Sequence, residues 1–286
     1  MIKELLEKKI TQEGINTTGM DEVILVKLSE PVARTNTMLP PGLCLVGQGE
    51  KHIYAGEESY VYNKDKFLLG TIKLPVYAEL KYASKEKPYL GMVILLNPNI
   101  ISELLIEFDQ LEKHKENKPD GLITNIEASK ELYDLIARLI SIIGNPQDEK
   151  ILGPQYLREI YYYLLKSTAG PYMRNCVAQH SKAHQLAPII HFLENNILED
   201  ISIEDLVSRF QISPSSLHEG FKKATTLPPM QYLKRLRLNN SHQLLMYGAS
   251  VKSAAAESGY RSVAQFSREF KRLFGVSPRD VKSVDE

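Results

Sequence analysis

Gly259-Tyr-Arg-Ser-Val-Ala-Gln-Phe266-Ser-Arg-Glu-Phe270-Lys-Arg-Leu-Phe-Gly275-Val-Ser-Pro278 is the stretch that decides how the rest of this chain is read. Ser262 is a good helix cap placed just before the run, and Gly275 and Pro278 are good stops after it. Phe266 and Phe270 stand four residues apart, so they share one helical face and bury it. The positions between them, Val263, Ser267 and Arg268, then face outward, with Lys271 and Arg272 following.

The same pattern occurs once earlier. Leu217-His-Glu-Gly-Phe221-Lys-Lys lines up with Phe266-Ser-Arg-Glu-Phe270-Lys-Arg 49 residues later, and Pro229 lines up with Pro278 at that offset. Upstream, Ile203 lines up with Val251 and Gln211 with Gly259 at an offset of 48, so the second turn holds one extra residue. Each copy reads as a short helix, a tight turn and a second helix, over about 203–227 and 250–276. Ser202, with Asp205 three residues on, caps the first copy, and Ser213-Pro214 and Ser262 open the second helices. A long helix over Met230 to Met246 joins the copies through Tyr232, Leu233, Leu236, Leu238, Leu244 and Leu245.

This is helix-turn-helix anatomy, in which the second helix inserts its start into the major groove of double-stranded DNA. Arg268 suits two parallel hydrogen bonds to a guanine edge, and Lys271 and Arg272 suit phosphates. Lys222, Lys223, Lys234, Arg235, Arg237 and Arg261 are further phosphate candidates. The charge distribution agrees. The whole chain of 286 residues is neutral, with 35 basic and 35 acidic residues. Arg209 to Lys282 carries 13 Lys and Arg against 4 acids, a local +9 that the rest balances with −9. A basic block inside a neutral chain is what a local phosphate-contacting surface requires.

The front of the chain reads differently. From about 18 to 97, short apolar runs (Val23 to Leu28, Leu43 to Val46, Phe67 to Leu69, Tyr89 to Leu96) are separated by Pro, Gly, Asn and Asp, the pattern of a small barrel or sandwich. A hairpin is expected about Ala55-Gly56-Glu57. Helical periodicity begins near 99. Ile100 to Leu111 forms one helix, and Leu132, Leu135, Ile136, Leu139, Ile140 and Ile143 stripe a second, ended by Gly144-Asn145-Pro146. Pro154 is expected to open a third, with Tyr156, Leu157, Ile160, Tyr161 and Leu164 on one face. Such stripes either close the core or pair two copies as a homodimer. Ser167 to Ser181 is the expected hinge. The expected fold is thus α+β: an N-terminal β-barrel with flanking helices over 1–180 and an all-α double helix-turn-helix domain over 181–286.

Residues 183 to 281 resemble the DNA-binding domain of the AraC/XylS family of transcription regulators. The residues that carry this are Tyr232-Leu-Lys-Arg-Leu-Arg-Leu, Leu244-Leu245 and the stretch from Gly259 to Pro278. Leu43-Cys-Leu-Val-Gly-Gln-Gly49-Glu-Lys, Leu74-Pro75-Val76 and Glu86-Lys-Pro88-Tyr-Leu resemble the cupin-like N-terminal domain of one branch of that family. The resemblance implies a bacterial regulator, usually an activator that contacts RNA polymerase, controlled through its first domain by a small-molecule effector or a partner. It also implies base-reading positions at Ser215, His218 and Glu219 in the first unit and at Val263, Ser267 and Arg268 in the second. The chain departs from the family pattern in the first unit: an acid stands at Glu219, Gly220 replaces a bulkier residue, and Gln211 and Thr226 stand where glycine is usual. The alternative is a protein–protein antagonist that keeps the fold with weakened DNA binding.

Other chemistry finds little support. Tyr54, Tyr62, Tyr77 and Tyr82 are effector-pocket candidates, offering an apolar ring and a polar tip. Cys44 is a possible thiol sensor, although Leu43, Leu45 and Val46 suggest a buried small residue instead. His52, Glu57 and Glu58 lack the second histidine of a metal site, so neither a metal nor another cofactor is expected. No serine elbow, phosphate loop or pair of catalytic acids stands out, which argues against an enzyme. With no apolar run long enough for a membrane span and no signal peptide at the start, the expected location is the bacterial cytoplasm, at the nucleoid.

Overall fold

The computed structural model describes residues 1–111, 121–177 and 182–281. The chain divides into two compact units. One comprises Met1–Arg34, Pro40–Lys73 and Ala78–His184; the other comprises Thr35–Leu39, Leu74–Tyr77 and Gln185–Glu286. The fold class is the expected one, antiparallel sheets with helices followed by helices alone.

The chain opens with α1 (Ile2–Lys9) and nine strands: β1 (Gly14–Thr17), β2 (Val23–Leu28), β3 (Val32–Leu39), β4 (Gly42–Gln48), β5 (Glu50–Ala55), β6 (Glu58–Asn63), β7 (Lys66–Gly70), β8 (Leu74–Leu80) and β9 (Tyr89–Leu95). Then come α2 (Pro98–Leu111), β10 (Ile123–Glu127), α3 (Lys130–Ile142), α4 (Pro146–Lys166) and α5 (Gly170–Val177). The strands form a six-stranded sheet, β1-β2-β9-β4-β7-β10, and a four-stranded sheet, β3-β8-β5-β6. Among the described residues no ladder joins the two, so the expected barrel is an open pair of sheets. β5 and β6 form the expected hairpin, with Ala55 paired to Glu58 and Gly56 in the left-handed region at φ 64°.

Burial explains the strand sequences. β4 is buried at every residue from Gly42 to Val46, because both its faces are covered. Leu43 and Leu45 face the helical layer, where they join Leu25, Phe67, Leu69, Met92 and Ile94 against Leu6, Leu135, Leu139, Leu157, Ile160 and Tyr161. The alternate residues Cys44 and Val46 face the other way, and β6 lies against β4 and β7. The apolar stripes of α3 and α4 are therefore spent on this core.

Two expectations change. α4 begins at Pro146 rather than Pro154. Asn145 caps it by accepting from the backbone N–H groups of Gln147 and Asp148, and Pro146 has no N–H to lose at the first turn. Pro154 lies inside the helix, where burial of Gly153, Leu157 and Ile160 outweighs the missing hydrogen bond. The expected hinge is helical over Gly170–Val177, with Gly170 and Met173 buried; its residues 178–181 lie outside the described residues.

The second unit is built on α6 (Lys182–Asn195), α7 (Ile203–Phe210), α8 (Pro214–Thr225), α9 (Pro229–Met246), α10 (Val251–Ala256) and α11 (Val263–Phe274), closed by a 3-10 turn at Pro278–Asp280. Leu217 and Phe221 are buried on α8, and Phe221 meets Tyr232 of α9 edge to face at 5.6 Å. Phe266 and Phe270 are buried on α11 with Leu238, Leu245, Ala254 and Ala255. His242 stacks on Phe270 and on Phe274, and this burial lowers its pKa.

Candidate nucleic-acid interface

Four short helices and one long one place the candidate residues. α7 starts with a reciprocal cap: Ser202 Oγ accepts from Asp205 N, and the Asp205 carboxylate accepts from Ser202 N at 2.8 Å. α8 and α11, the second helices of the two units, are capped by Ser213 and Ser262. The caps satisfy backbone N–H groups at the ends that would face DNA and set where each exposed face begins.

On α8, Leu217 and Phe221 point inward, so Ser215, His218, Glu219, Lys222 and Lys223 are exposed. On α11, Phe266 and Phe270 point inward, leaving Val263, Arg268, Lys271 and Arg272 exposed and Ser267 half-buried. The base-reading candidates of each unit thus share one helical face, which in the second unit is cationic and in the first carries Glu219 beside His218. Arg261, in the turn before α11, is 3.4 Å from Asp200 with both side chains exposed, a weak tether in water.

The basic run on α9 is placed otherwise than as a free phosphate-contacting strip. Arg237 donates from Nε to Ile197 O at 2.7 Å and from Nη2 to Glu199 O at 2.6 Å, fastening α9 to the loop before α7. Lys234 pairs with Glu269 of α11 at 2.9 Å. Desolvation pushes the Glu269 carboxyl up, but hydrogen bonds from Lys234, Tyr260 and Gln265 outweigh it and hold the pKa low. Arg235 is bonded within the same unit to Asn36 and to Tyr77, and desolvation lowers its pKa. Sequence reasoning assigned these three side chains by charge. Their acceptors lie far off in the chain, where no local pattern announces them.

The turns differ between the units. Gln211 ends α7 at φ 49° and Thr226 ends α8 at φ 63°, the left-handed positions where glycine was noted as usual. Their counterparts in the second unit are glycines, Gly259 at φ 76° and Gly275 at φ 80°. Gly259 is also hemmed in: an added Cβ would lie 2.6 Å from Ile197 O and 3.2 Å from Arg237 Nε.

In the first unit of the chain, the effector candidates separate. Tyr82 is exposed, and Tyr54 donates to Glu79 at 2.6 Å with Arg34 over its ring. Tyr77 belongs with the helical unit, bonded to Arg235. Tyr62 alone is interior, 2% exposed, and lies near buried Tyr89. Cys44 lies beside them, 3% exposed, its thiol pushed up to about 11 by burial, which keeps it protonated. Lys51, opposite Tyr62 in the hairpin, was missed at the level of sequence. Its alternation with buried Ile53 is the signal that marks it as inward-facing. Among the described residues no group of three or more His, Cys, Asp or Glu is arranged to hold a metal.

Comparison with known proteins agrees with this architecture. The family model described as the AraC-type transcriptional regulator N-terminus matches residues 19–172, and that described as a helix-turn-helix domain matches residues 206–283. The HTH-type transcriptional activator RhaS of Escherichia coli strains SMS-3-5 and UTI89 is 29% identical over 153 residues, 51% of this chain and 53% of the relative. The chain spans about half the length of the curated relatives it matches. Among solved structures, an apo variant of ToxT from Vibrio cholerae superposes with a TM-score of 0.65 at 12% identity, covering 94% of this chain and 98% of that one. Unsaturated fatty acid bound wild-type ToxT gives 0.65 at 13% identity, covering 93% and 95%. At these identities the likeness is one of fold. Among the described residues no helix is long and apolar enough to cross a membrane. With one family model covering more than half of its length and a helix-turn-helix model covering most of the rest, the chain belongs to the AraC-type transcriptional regulators, a family of DNA-binding proteins rather than enzymes.

Proposed function

We propose that this chain is a sequence-specific activator of transcription whose hold on DNA is set by a small molecule bound in its sheet-bearing unit. The observation that carries the DNA half is the cationic face of α11: Arg268, Lys271 and Arg272 exposed on a capped helix whose opposite face is locked by Phe266 and Phe270. Arg268 reads a guanine edge, and Lys222, Lys223, Arg261, Lys271 and Arg272 hold phosphates. Lys234, Arg235 and Arg237 serve the fold. The likeness to RhaS, an activator, supports positive regulation and contact with RNA polymerase, and a fatty-acid-bound relative in fold supports small-molecule control. To act, the effector binds one state of the protein better than the other.

The test is titration of the purified chain against promoter DNA upstream of its own and neighbouring genes, at several salt concentrations, with unrelated DNA as competitor. Binding that survives competitor and falls with a log–log salt slope of roughly −4.5, as five neutralised phosphates require, supports the reading. Binding no tighter than to competitor at any salt, with the protein folded, favours the antagonist that Glu219 on the α8 face would suit.

A further inference from the structure

Glu269 is the one acid on α11, a helix that carries three cations, Arg268, Lys271 and Arg272. Turned outward among them, a carboxylate would repel phosphates. It is turned inward instead, with its side chain 20% exposed and both oxygens engaged. Oε1 accepts from Lys234 Nζ at 2.9 Å and from Gln265 Nε2 at 3.4 Å, and Oε2 accepts from the Tyr260 hydroxyl at 3.0 Å. The three donors stand on α9, on the first turn of α11 and in the turn that precedes α11. One carboxylate thus ties the recognition helix both to its own approach and to the helix that joins the two units.

Such a tie fixes what apolar packing leaves loose. Phe266 and Phe270 cluster with Leu238 and Leu245 of α9, and this holds the two helices together. Hydrophobic attraction is non-directional, so by itself it lets α11 roll or slide on α9. Hydrogen bonds to a charged carboxylate are short and directional, and they select one setting. α9 also carries the first unit, through Tyr232 against Phe221 of α8. The setting of α11 on α9 therefore fixes the distance and rotation at which the two second helices meet DNA. In the first unit the matching position is Gly220, which has no side chain to make such a tie. We propose that Glu269 is a positioning residue: through Lys234 and Tyr260 it holds α11 at one setting on α9, so that the chain accepts its two DNA sub-sites at a single spacing. This rests on the reading that the chain binds specific DNA through these helices, and it names the residue that sets the spacing.

The test uses the full chain and the DNA site it protects, with one base pair added or removed between the segments covered by the two units. One base pair moves the second segment by about 3.4 Å and turns it by about 35°. The parent chain should lose at least ~10-fold in affinity on either change, the worth of a misplaced base contact. Glu269→Gln keeps the size of the side chain and removes its charge. That variant and Lys234→Met should each bring the spacing penalty below ~3-fold, and the double variant should go no further, since both remove the same bond. Equal loss of affinity at every spacing, as a purely structural role would give, overturns the proposal, and so does a parent chain indifferent to spacing. A second measurement needs no DNA: the distance distribution between spin labels at Lys223→Cys and Lys271→Cys, in a chain also carrying Cys44→Ser and Cys176→Ser. It should be narrow, and Glu269→Gln should broaden it; an unchanged width overturns the proposal. Broadening in a chain that binds no specific DNA leaves the positioning role standing and sinks the DNA-binding reading. Specific binding with the spacing penalty and the width both unchanged does the reverse.

Discussion

The two helix-turn-helix units share a plan and differ in how well each is built for it. In the second unit, both left-handed turn positions are glycine, Arg268 projects from the exposed face, and Glu269 gathers Lys234, Tyr260 and Gln265 into one bonded group. In the first, Gln211 and Thr226 occupy left-handed positions, Gly220 sits inside the second helix, and Glu219 faces outward. Left-handed conformation costs an L residue roughly 1–2 kcal/mol, and a β-branched residue such as Thr226 is ill suited to it. The difference teaches that one repeat is held to strict backbone geometry while the other tolerates strain, consistent with the second carrying more of the affinity.

The comparison breaks most readily at Gly259. Gly259→Ala adds a Cβ against Ile197 O in a backbone conformation that alanine resists, and it crowds the Arg237 bond that fastens α9. Denaturant unfolding of the helical unit should show a loss of about 2–4 kcal/mol; a loss under ~1 kcal/mol would mean that the turn relaxes freely. Next in size is the division of base reading. Arg268→Ala should weaken promoter binding roughly 10- to 100-fold at fixed salt, the worth of one bidentate contact. Glu219→Ala should leave affinity unchanged or raise it, and a greater loss from Glu219→Ala would reverse the order of the units.

Smaller effects sharpen the contrast from the other side. Thr226→Gly should stabilise the helical unit by about 1 kcal/mol by relieving the left-handed penalty. The mirror change Gly275→Thr should cost at least as much, since nothing lies within 4 Å of an added Cβ there and only the backbone resists. Equal stability of both variants and the parent would remove the claim of strain. Smallest is Gly220→Ala, whose new methyl would meet Leu186 Cδ2 at an ordinary 3.7 Å. A gain of ~0.5–1 kcal/mol in melting experiments, with DNA affinity unchanged, is expected from helix propensity alone.

A second contrast lies in what could be read ahead of the structure. Phe266 and Phe270, Leu217 and Phe221, and the serine caps were legible because a helix repeats every 3.6 residues and announces its buried face locally. β3, β8 and β10 were not, because their alternation is mixed and their burial depends on strands distant in the chain. Lys51 shows the same limit: alternation marks its direction, but only the tertiary structure sets its Nζ 5.8 Å from the centre of the Tyr89 ring. The tyrosines looked alike in sequence, and tertiary placement alone separated interior Tyr62 from exposed Tyr82.

By itself the sequence determined the double helix-turn-helix, its repeat offset, the outward face of each second helix and the basic charge of that segment, since all of these follow from spacing along one chain. The tertiary structure decided which cations of the helical unit stay exposed and which are paired within the fold. Arg237 and Lys234 differ from Lys271 and Arg272 only in whether a carbonyl or carboxylate from a distant segment stands within hydrogen-bond reach. It likewise decided that the sheets stay open rather than closing as a barrel, and that Lys51 is only partly exposed. Charge and periodicity are local properties, whereas desolvation and pairing depend on neighbours that only folding supplies.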